Sequence, residues 1–168
     1  MRKESERIQA TEVCVERREE ESTADYLRRL EVSGQFLFHG SPREIGELEP
    51  RDPVTDATDN PDNKQLAVYA YSSAALGVQR AIISGRDDVE GDWDIVGGTD
   101  PESPETPLLM TTPNIPLQSG YLHILPRSSF RQTGGYQWVS ESPVKPYAIV
   151  DVDPGVYREL GGEYREIK

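Results

Sequence analysis

The hydrophobic positions of the N-terminal region change from helical spacing to strand-like runs. In EESTADYLRRL (20–30), Tyr26, Leu27 and Leu30 lie at helical spacing behind a serine and a threonine, residue types that cap helices. GQFLFHG (34–40) is a short apolar run ending in a histidine and a glycine, which predicts a buried strand. In SPREIGELEP (41–50), the spacing of Ile45 and Leu48 predicts a single turn of helix.

The middle of the chain contains one strand–helix pair between two polar segments. QLAVYAYSS (65–73) is rich in strand-forming residues. SSAALGVQRAIISG (72–85) has serine as a cap, an apolar helical pattern and Gly85 as a stop. Residues 51–64 lack apolar periodicity, and residues 86–107 are acidic and rich in Gly and Pro. Both are predicted to be loops, with at most WDIVG as a strand in the second.

Strand signals alternate with turn signals over the rest of the chain. The predicted strands lie in LLMTTP (108–113), SGYLHILPRSSF (119–130), YQWVSE (136–141) and PYAIVDVDP (146–154), and GVYREL (155–160) is a predicted final turn of helix. This order predicts an α+β domain with a mainly antiparallel sheet and a few flanking helices. We expect a single domain over 1–168, in which 1–33 is an N-terminal helical or extension segment and 34–168 is the core.

Composition and charge restrict the classes of partner. Hydrophobic residues make up 35% of the chain and charged residues 29%, which fits a globular domain with polar loops. The formal net charge of -12 repels phosphate, so general binding to nucleic acid or to anionic membranes is disfavoured. Because no apolar run is long enough to span a bilayer and no secretory h-region is present, we expect a cytoplasmic protein without a membrane partner.

Acidic residues dominate a chain whose basic residues are mostly arginine, a composition of the kind found in salt-adapted proteins. This halophilic-type composition predicts that the melting temperature rises between low and molar salt. An unchanged melting temperature would contradict the prediction. The single cysteine, Cys14, lies in an alternating segment and is interpreted as a small apolar filler.

Metal and nucleophile motifs are missing from the sequence. His39 and His123 lie far apart, and neither has a second ligand at metal-binding spacing. Asp56, Asp59 and Asp62 lack the alternate spacing, central glycine and terminal glutamate of a calcium loop. There is no GxSxG elbow, Cys–His pair or phosphate-binding glycine loop. We therefore expect no metal centre.

Polar and aromatic residues instead gather on three predicted strands. A polar side chain at a strand end, a glycine that permits close approach and an aromatic face together suit a flat heteroaromatic ligand. An ordinary turn histidine and half-buried packing tyrosines would give the same pattern. The residues concerned are His39, Gly40 and Ser41 on the first strand, Tyr69 and Tyr71 on the second, and Gln137 and Glu141 on the third.

These segments resemble the three motifs of ADP-ribosyltransferases. FLFHGSP, VYAYSS with its following helix, and YQWVSE before VKPYAIVDV are similar to the His-Tyr-Glu branch, which includes diphtheria toxin and the poly(ADP-ribose) polymerases. The resemblance covers residues 36–152 in order and spacing. It implies a split, mainly antiparallel β-sheet and the use of NAD as a substrate.

The resemblance implies particular roles for the first two strands. His39 would bond a ribose hydroxyl of NAD, and the Gly40 backbone would hold the nicotinamide amide. Ser41 occupies the small-hydroxyl position, and Tyr69 would pack near the nicotinamide ring. The position of the second stacking aromatic is occupied by Arg80, and Tyr71 is the candidate substitute.

The third motif departs from the pattern at its catalytic position. Gln137 stands where the family has its glutamate, so the pocket lacks the charge that stabilises a developing oxocarbenium ion. The loss corresponds to on the order of 10² in rate. Glu141 lies on the same strand face, roughly 13 Å further along at about 3.3 Å per residue, and would need a bulge to replace it.

Three functions remain open at this point. The first is an NAD-binding ADP-ribosyltransferase-like protein that carries out mono-ADP-ribosyl transfer or NAD hydrolysis. The second is an RNA 2'-phosphotransferase-like enzyme, a class that resembles this fold and lacks the glutamate; Arg127 and Arg131 are the nearest arginine pair. The third is a catalytically inactive ligand-binding module. No motif specifies whether the acceptor of ADP-ribose is a protein or a nucleic acid. We expect segments 51–64 and 86–107 to recognise it.

Overall fold

The computed structural model describes residues 15–51, 66–83, 95–113 and 115–167. Cys14, Gly85, the acidic triplet Asp56, Asp59 and Asp62, and most of segment 51–64 lie outside them. The described elements, in chain order, are α1 (Thr23–Ser33), β1 (Phe36–Ser41), β2 (Val68–Tyr71), α2 (Ala74–Ile83), β3 (Ile95–Asp100), β4 (Ser103–Thr111), β5 (Gly120–Pro126), β6 (Arg131–Gly134), β7 (Gln137–Ser140), β8 (Ala148–Val152), α3 (Pro154–Glu159) and β9 (Glu163–Glu166).

The described strands form two sheets, and the fold is α+β. The large sheet has the order β6-β7-β2-β1-β5-β8, and all of its pairings are antiparallel. The small sheet has the order β3-β4-β9, in which β4 and β9 run parallel. The prediction of an α+β domain with mainly antiparallel strands is therefore confirmed. None of the helices in the described ranges combines the length and the apolar character needed to cross a membrane.

Helix α1 begins where its sequence predicts. The Ser22 hydroxyl accepts a hydrogen bond from the Asp25 amide at 3.1 Å, and Gly34 ends the helix in the left-handed region with φ of 70°. Leu27 and Leu30 are buried in the same core as the large sheet. The apolar stripe of α1 thus attaches the N-terminal segment to the strands that follow it.

The large sheet buries a different core on each face. One face of β1 carries Phe36 and Phe38, which pack with helices α1, α2 and α3 in what we call the helix-side core. The other face carries Leu37, which packs with Leu48, Val68, Ala70, Leu125 and Val144 in what we call the second core. Because side chains alternate along a strand, every position of β1 is assigned to one face of the sheet or the other.

Helix α2 lies unusually close to the centre of the large sheet. A Cβ built on Gly40 would lie 2.0 Å from the Gly77 carbonyl oxygen, and one on Gly120 would lie 2.4 Å from the Ala81 carbonyl oxygen. A Cβ on Gly77 would lie 2.8 Å from the Phe38 side chain. Three glycines, two on strands and one on the helix, therefore let the backbones approach each other.

A buried polar cluster joins α2 to the small sheet. The Gln79 amide nitrogen donates to the Gly98 carbonyl at 2.9 Å and lies 3.0 Å from the Tyr157 hydroxyl. That hydroxyl in turn donates to the Glu163 carbonyl at 3.1 Å. Gln79 is only 1% exposed, so these bonds satisfy an amide that would otherwise be costly to bury.

Two predicted elements are wrong. The helical turn expected in 41–50 is not formed; instead, Leu48 and Val144 exchange backbone hydrogen bonds of 2.8 Å and both enter the second core. The segment 86–107, predicted as a loop with at most WDIVG as a strand, contains β3, which begins within WDIVG, and also the first half of β4 in its described part. Gly97 and Gly98 are tolerated because β3 is an edge strand, and Pro104 and Pro107 lie in the part of β4 that precedes its pairing with β9, which starts at Leu108.

Candidate functional site

Strands β1 and β2 separate at His39. Their pairing register joins Phe38 to Tyr71, and beyond this point Ala67, just before β2, exchanges backbone hydrogen bonds with Arg51. The His39 ring occupies the place where the strands diverge, with Nδ1 2.6 Å from the Tyr69 carbonyl oxygen. Since a carbonyl can only accept, Nδ1 carries the proton and Nε2 is left as the acceptor nitrogen.

A second histidine lies beside the first. His123 on β5 is directly opposite His39, and the two rings meet edge to face with centroids 5.7 Å apart. The His123 Nδ1–H donates to the His39 carbonyl at 3.1 Å, and Nε2 accepts from the Ile45 amide at 3.0 Å. The pairing of these two residues is not apparent from the sequence. The alternation of the strand predicted in SGYLHILP was the available signal, but it gave no pairing register.

Both histidines are held in the neutral form. Burial lowers the pKa of His39 to about 4, against the opposing effect of its bond to the Tyr69 carbonyl; the neighbouring His123 and Arg51 act in the same direction as burial. Burial also lowers the pKa of His123. At neutral pH, His39 therefore offers an uncharged imidazole, which suits a hydrogen bond to a hydroxyl group better than a bond to an anion.

The tyrosines of β2 lie on the opposite face of the sheet from His39. Tyr71 pairs with Phe38 of the helix-side core, whereas Ala70 belongs to the second core. Alternation then places Tyr69 with Tyr71 on the helix side and His39 with Leu37 on the other. The structure thus brings the His39 ring to the Tyr69 carbonyl but not to the two tyrosine rings.

Four of the predicted site residues do share one face. We call Tyr69, Tyr71, Arg80 and Gln137 the tyrosine face; all four are partly buried. Gln137 on β7 pairs directly with Tyr71, and its side-chain nitrogen lies 3.2 Å from the Thr133 hydroxyl. The Arg80 Nε donates to the Tyr71 hydroxyl at 3.2 Å, and the guanidinium carbon is 5.9 Å from the centre of that ring.

Glu141 lies away from Gln137. Strand β7 begins at Gln137 and ends at Ser140. Glu141 therefore lies just beyond the end of the strand that is far from Gln137. Its side chain is 71% exposed, and its Oε1 is 3.7 Å from an Arg131 nitrogen. The bulge that would carry this carboxylate towards Gln137 is not present between residues 137 and 140, where β7 pairs regularly with β2.

Gly40 and Ser41 have clear structural contacts. The helix side of Gly40 is filled by α2, as described above. Ser41 is buried, and its hydroxyl accepts a hydrogen bond from the Arg43 amide at 3.2 Å. The glycine therefore permits close approach, as its sequence context predicts, but the backbone that approaches is that of a helix.

No group of three or more His, Cys, Asp or Glu side chains within the described ranges could hold a metal ion.

Arg127 is one of the two arginines considered for RNA. Its guanidinium carbon lies 4.4 Å from the centre of the Trp138 ring, and its side chain donates a hydrogen bond to the Gly34 carbonyl at 2.8 Å. Trp138 belongs with the second core, on the face opposite Gln137. The Arg127 side chain therefore lies on the face of the sheet opposite the tyrosine face.

Comparisons with protein-family models, with curated proteins and with solved structures found no match.

Proposed function

We propose that the protein is an ADP-ribosyltransferase-like domain that binds NAD. The observation that carries the proposal is the separation of β1 from β2 at His39, between the first two motifs, while β2 and β7 stay paired through Tyr71 and Gln137. A gap between strands that bear a neutral imidazole, tyrosines and an amide suits a ligand with ribose hydroxyls and a flat ring.

The geometry also defines how such a ligand must enter. The His39 ring and the tyrosine face lie on opposite faces of the large sheet. A ligand that touches both has to lie beside the His39 ring where the two strands diverge, with a ribose hydroxyl towards Nε2 of His39. The nicotinamide-binding part of the proposal therefore depends on this gap and on its edge at Gly40.

Calorimetric titration with NAD tests the binding step. We expect wild-type protein to bind NAD when the protein concentration is high enough to detect millimolar affinity. We expect His39→Asn to weaken binding, because it keeps a donor for the Tyr69 carbonyl but removes the Nε2 acceptor. Absence of heat with wild-type protein under these conditions would exclude the proposal.

The transfer step lacks a carboxylate at the matching position, so we expect wild-type NAD hydrolysis to be slow. Gln137→Glu restores the charge beside Tyr71 and is expected to raise hydrolysis on the order of 10²-fold. Gln132→Glu is the matched control, since it adds the same charge on β6, where Gln132 pairs with Trp138 on the other face. The rate should be measured as nicotinamide released.

A binding module without turnover is the second candidate. The exposed position of Glu141 at the far end of β7 favours it, because this carboxylate does not stand in for the missing glutamate. NAD binding by wild type, with no gain of hydrolysis in Gln137→Glu, would support the module and exclude a latent transferase pocket. The RNA 2'-phosphotransferase alternative predicts removal of phosphate from a 2'-phosphorylated oligonucleotide in the presence of NAD.

A further inference from the structure

Arg80 is a cation without a described anionic partner in a strongly acidic protein. Some other basic side chains contact carboxylates, as in the pairs of Arg165 with Asp100 at 2.8 Å and of Arg29 with Glu21 at 2.9 Å. The contacts of Arg80 within the described ranges are instead with Tyr71, through Nε and through the ring. Because Nε is engaged with Tyr71, the two terminal nitrogens are the donors that make no hydrogen bond to a described residue.

The nearby start of α2 is already bound to an anion of the protein itself. The Glu31 carboxylate accepts a hydrogen bond from the Ala74 amide at 2.6 Å, at the first residue of the helix. A ligand anion therefore has no free access to that amide. Among the described residues, the positive group on the tyrosine face is the guanidinium of Arg80, about one and two-thirds helical turns beyond Ala74 on α2.

The chemistry around Arg80 matches a nucleotide phosphate. A guanidinium presents several donors in a plane and binds phosphate oxygens strongly, and an adjacent aromatic ring accepts a flat ring by stacking. Tyr71 supplies that ring, and Gln137, paired with Tyr71, supplies a neutral amide. The three side chains come from α2, β2 and β7 and converge on one partly buried face.

We propose that Arg80 binds the diphosphate of a nucleotide whose ribose or ring lies against Tyr71. The inference rests on the proposed function and extends it: the ADP-ribose part of the ligand, rather than the nicotinamide, makes its charged contact on the tyrosine face. The replacement of a stacking aromatic by Arg80 then changes what is recognised at this position from a ring to an anion.

Titrations at constant ionic strength test the assignment with ADP-ribose, inorganic pyrophosphate and nicotinamide as separate probes. The proteins are wild type, Arg80→Gln, Arg80→Lys and Arg158→Gln. Arg158 is the matched control because it also lies over a tyrosine, 4.7 Å from the Tyr164 ring centre, and its loss changes the net charge equally. Thermal melting of each variant shows whether it is folded.

We expect Arg80→Gln to weaken ADP-ribose binding about 10- to 100-fold, as for loss of a charged hydrogen bond. Arg80→Lys should retain part of the affinity, nicotinamide affinity should be unchanged, and Arg158→Gln should match wild type. An unchanged ADP-ribose affinity in Arg80→Gln would overturn the phosphate contact alone. Pyrophosphate binding without ADP-ribose binding would overturn the nucleotide assignment, and failure of wild type to bind any of NAD, ADP-ribose or nicotinamide would overturn the proposed function.

Discussion

Gly40→Ala is expected to lower the free energy of unfolding by at least about 3 kcal/mol, because the added methyl group collides with main-chain atoms. The new Cβ would lie 2.0 Å from the Gly77 carbonyl oxygen and 2.5 Å from the Ala81 amide nitrogen. Neither atom belongs to a flexible side chain, so α2 as a whole would have to move away from β1. Urea unfolding followed by circular dichroism measures the loss.

Gly46→Ala is the matched control for this substitution. Gly46 lies in the segment after β1, and a Cβ there meets nothing within 4 Å. Its effect should stay within about 0.5 kcal/mol, as for ordinary surface changes. If the two variants unfolded at the same urea concentration, the close contact between α2 and β1 would not exist in solution.

Acidification from pH 7 to pH 4 is expected to destabilise the protein by up to about 3 kcal/mol through His39 alone. The pKa of this group is about 4 in the folded chain, against 6.5 without the surrounding protein. Between these values the unfolded chain binds more protons than the folded chain. The stability is therefore highest above pH 6.5 and falls as the pH is lowered towards 4.

His123 acts in the same direction, since burial lowers its pKa as well. Protonation of His123 would also place an N–H group against the Ile45 amide N–H, from which Nε2 now accepts a hydrogen bond.

Glu21 contributes to stability in a separate pH range. Its bond to Arg29 lowers its pKa to about 2, so its stabilising effect is complete above about pH 4.5 and is lost only below that value.

Removal of the two histidines isolates this effect, because the chain contains no others. His39→Asn keeps a donor for the Tyr69 carbonyl, and His123→Gln keeps an acceptor for the Ile45 amide, yet neither side chain titrates. We expect the double variant to have nearly the same unfolding free energy at pH 7 and pH 5. A wild-type protein equally stable at both pH values would show that the histidines are not buried as described.

The two predictions bear directly on how the motif around His39 is interpreted. Its glycine makes room for α2, and its histidine bonds the Tyr69 carbonyl where β1 and β2 separate. Both are structural roles, and they account for the residue types without a ligand. The features specific to a ligand are instead the acceptor nitrogen of His39 and the tyrosine face, which the titrations with His39 and Arg80 variants test separately.

Local sequence signals were sufficient for the helices and for most strands. Ser22 predicts the start of α1 because a hydroxyl can satisfy a free amide within one turn, and Gly34 ends the helix for an equally local reason. The alternating and continuous apolar runs located β1, β2, β5, β7 and β8. The short polar strands β6 and β9 were missed, because their stability comes from partners distant in sequence or from edge pairing rather than from their own residues.

The sequence by itself determined which residue types this protein offers at the site: a histidine beside a glycine, two tyrosines two positions apart, an arginine in the following helix and a glutamine where a transferase motif has glutamate. Only the tertiary structure decided how these residues are grouped. Strand alternation fixes relative sides within one strand, but the register between strands fixes which sides coincide. The pairing of Phe38 with Tyr71 sends the His39 ring to one face and the tyrosines to the other, and the packing of α2 on Gly40 brings Arg80 to Tyr71.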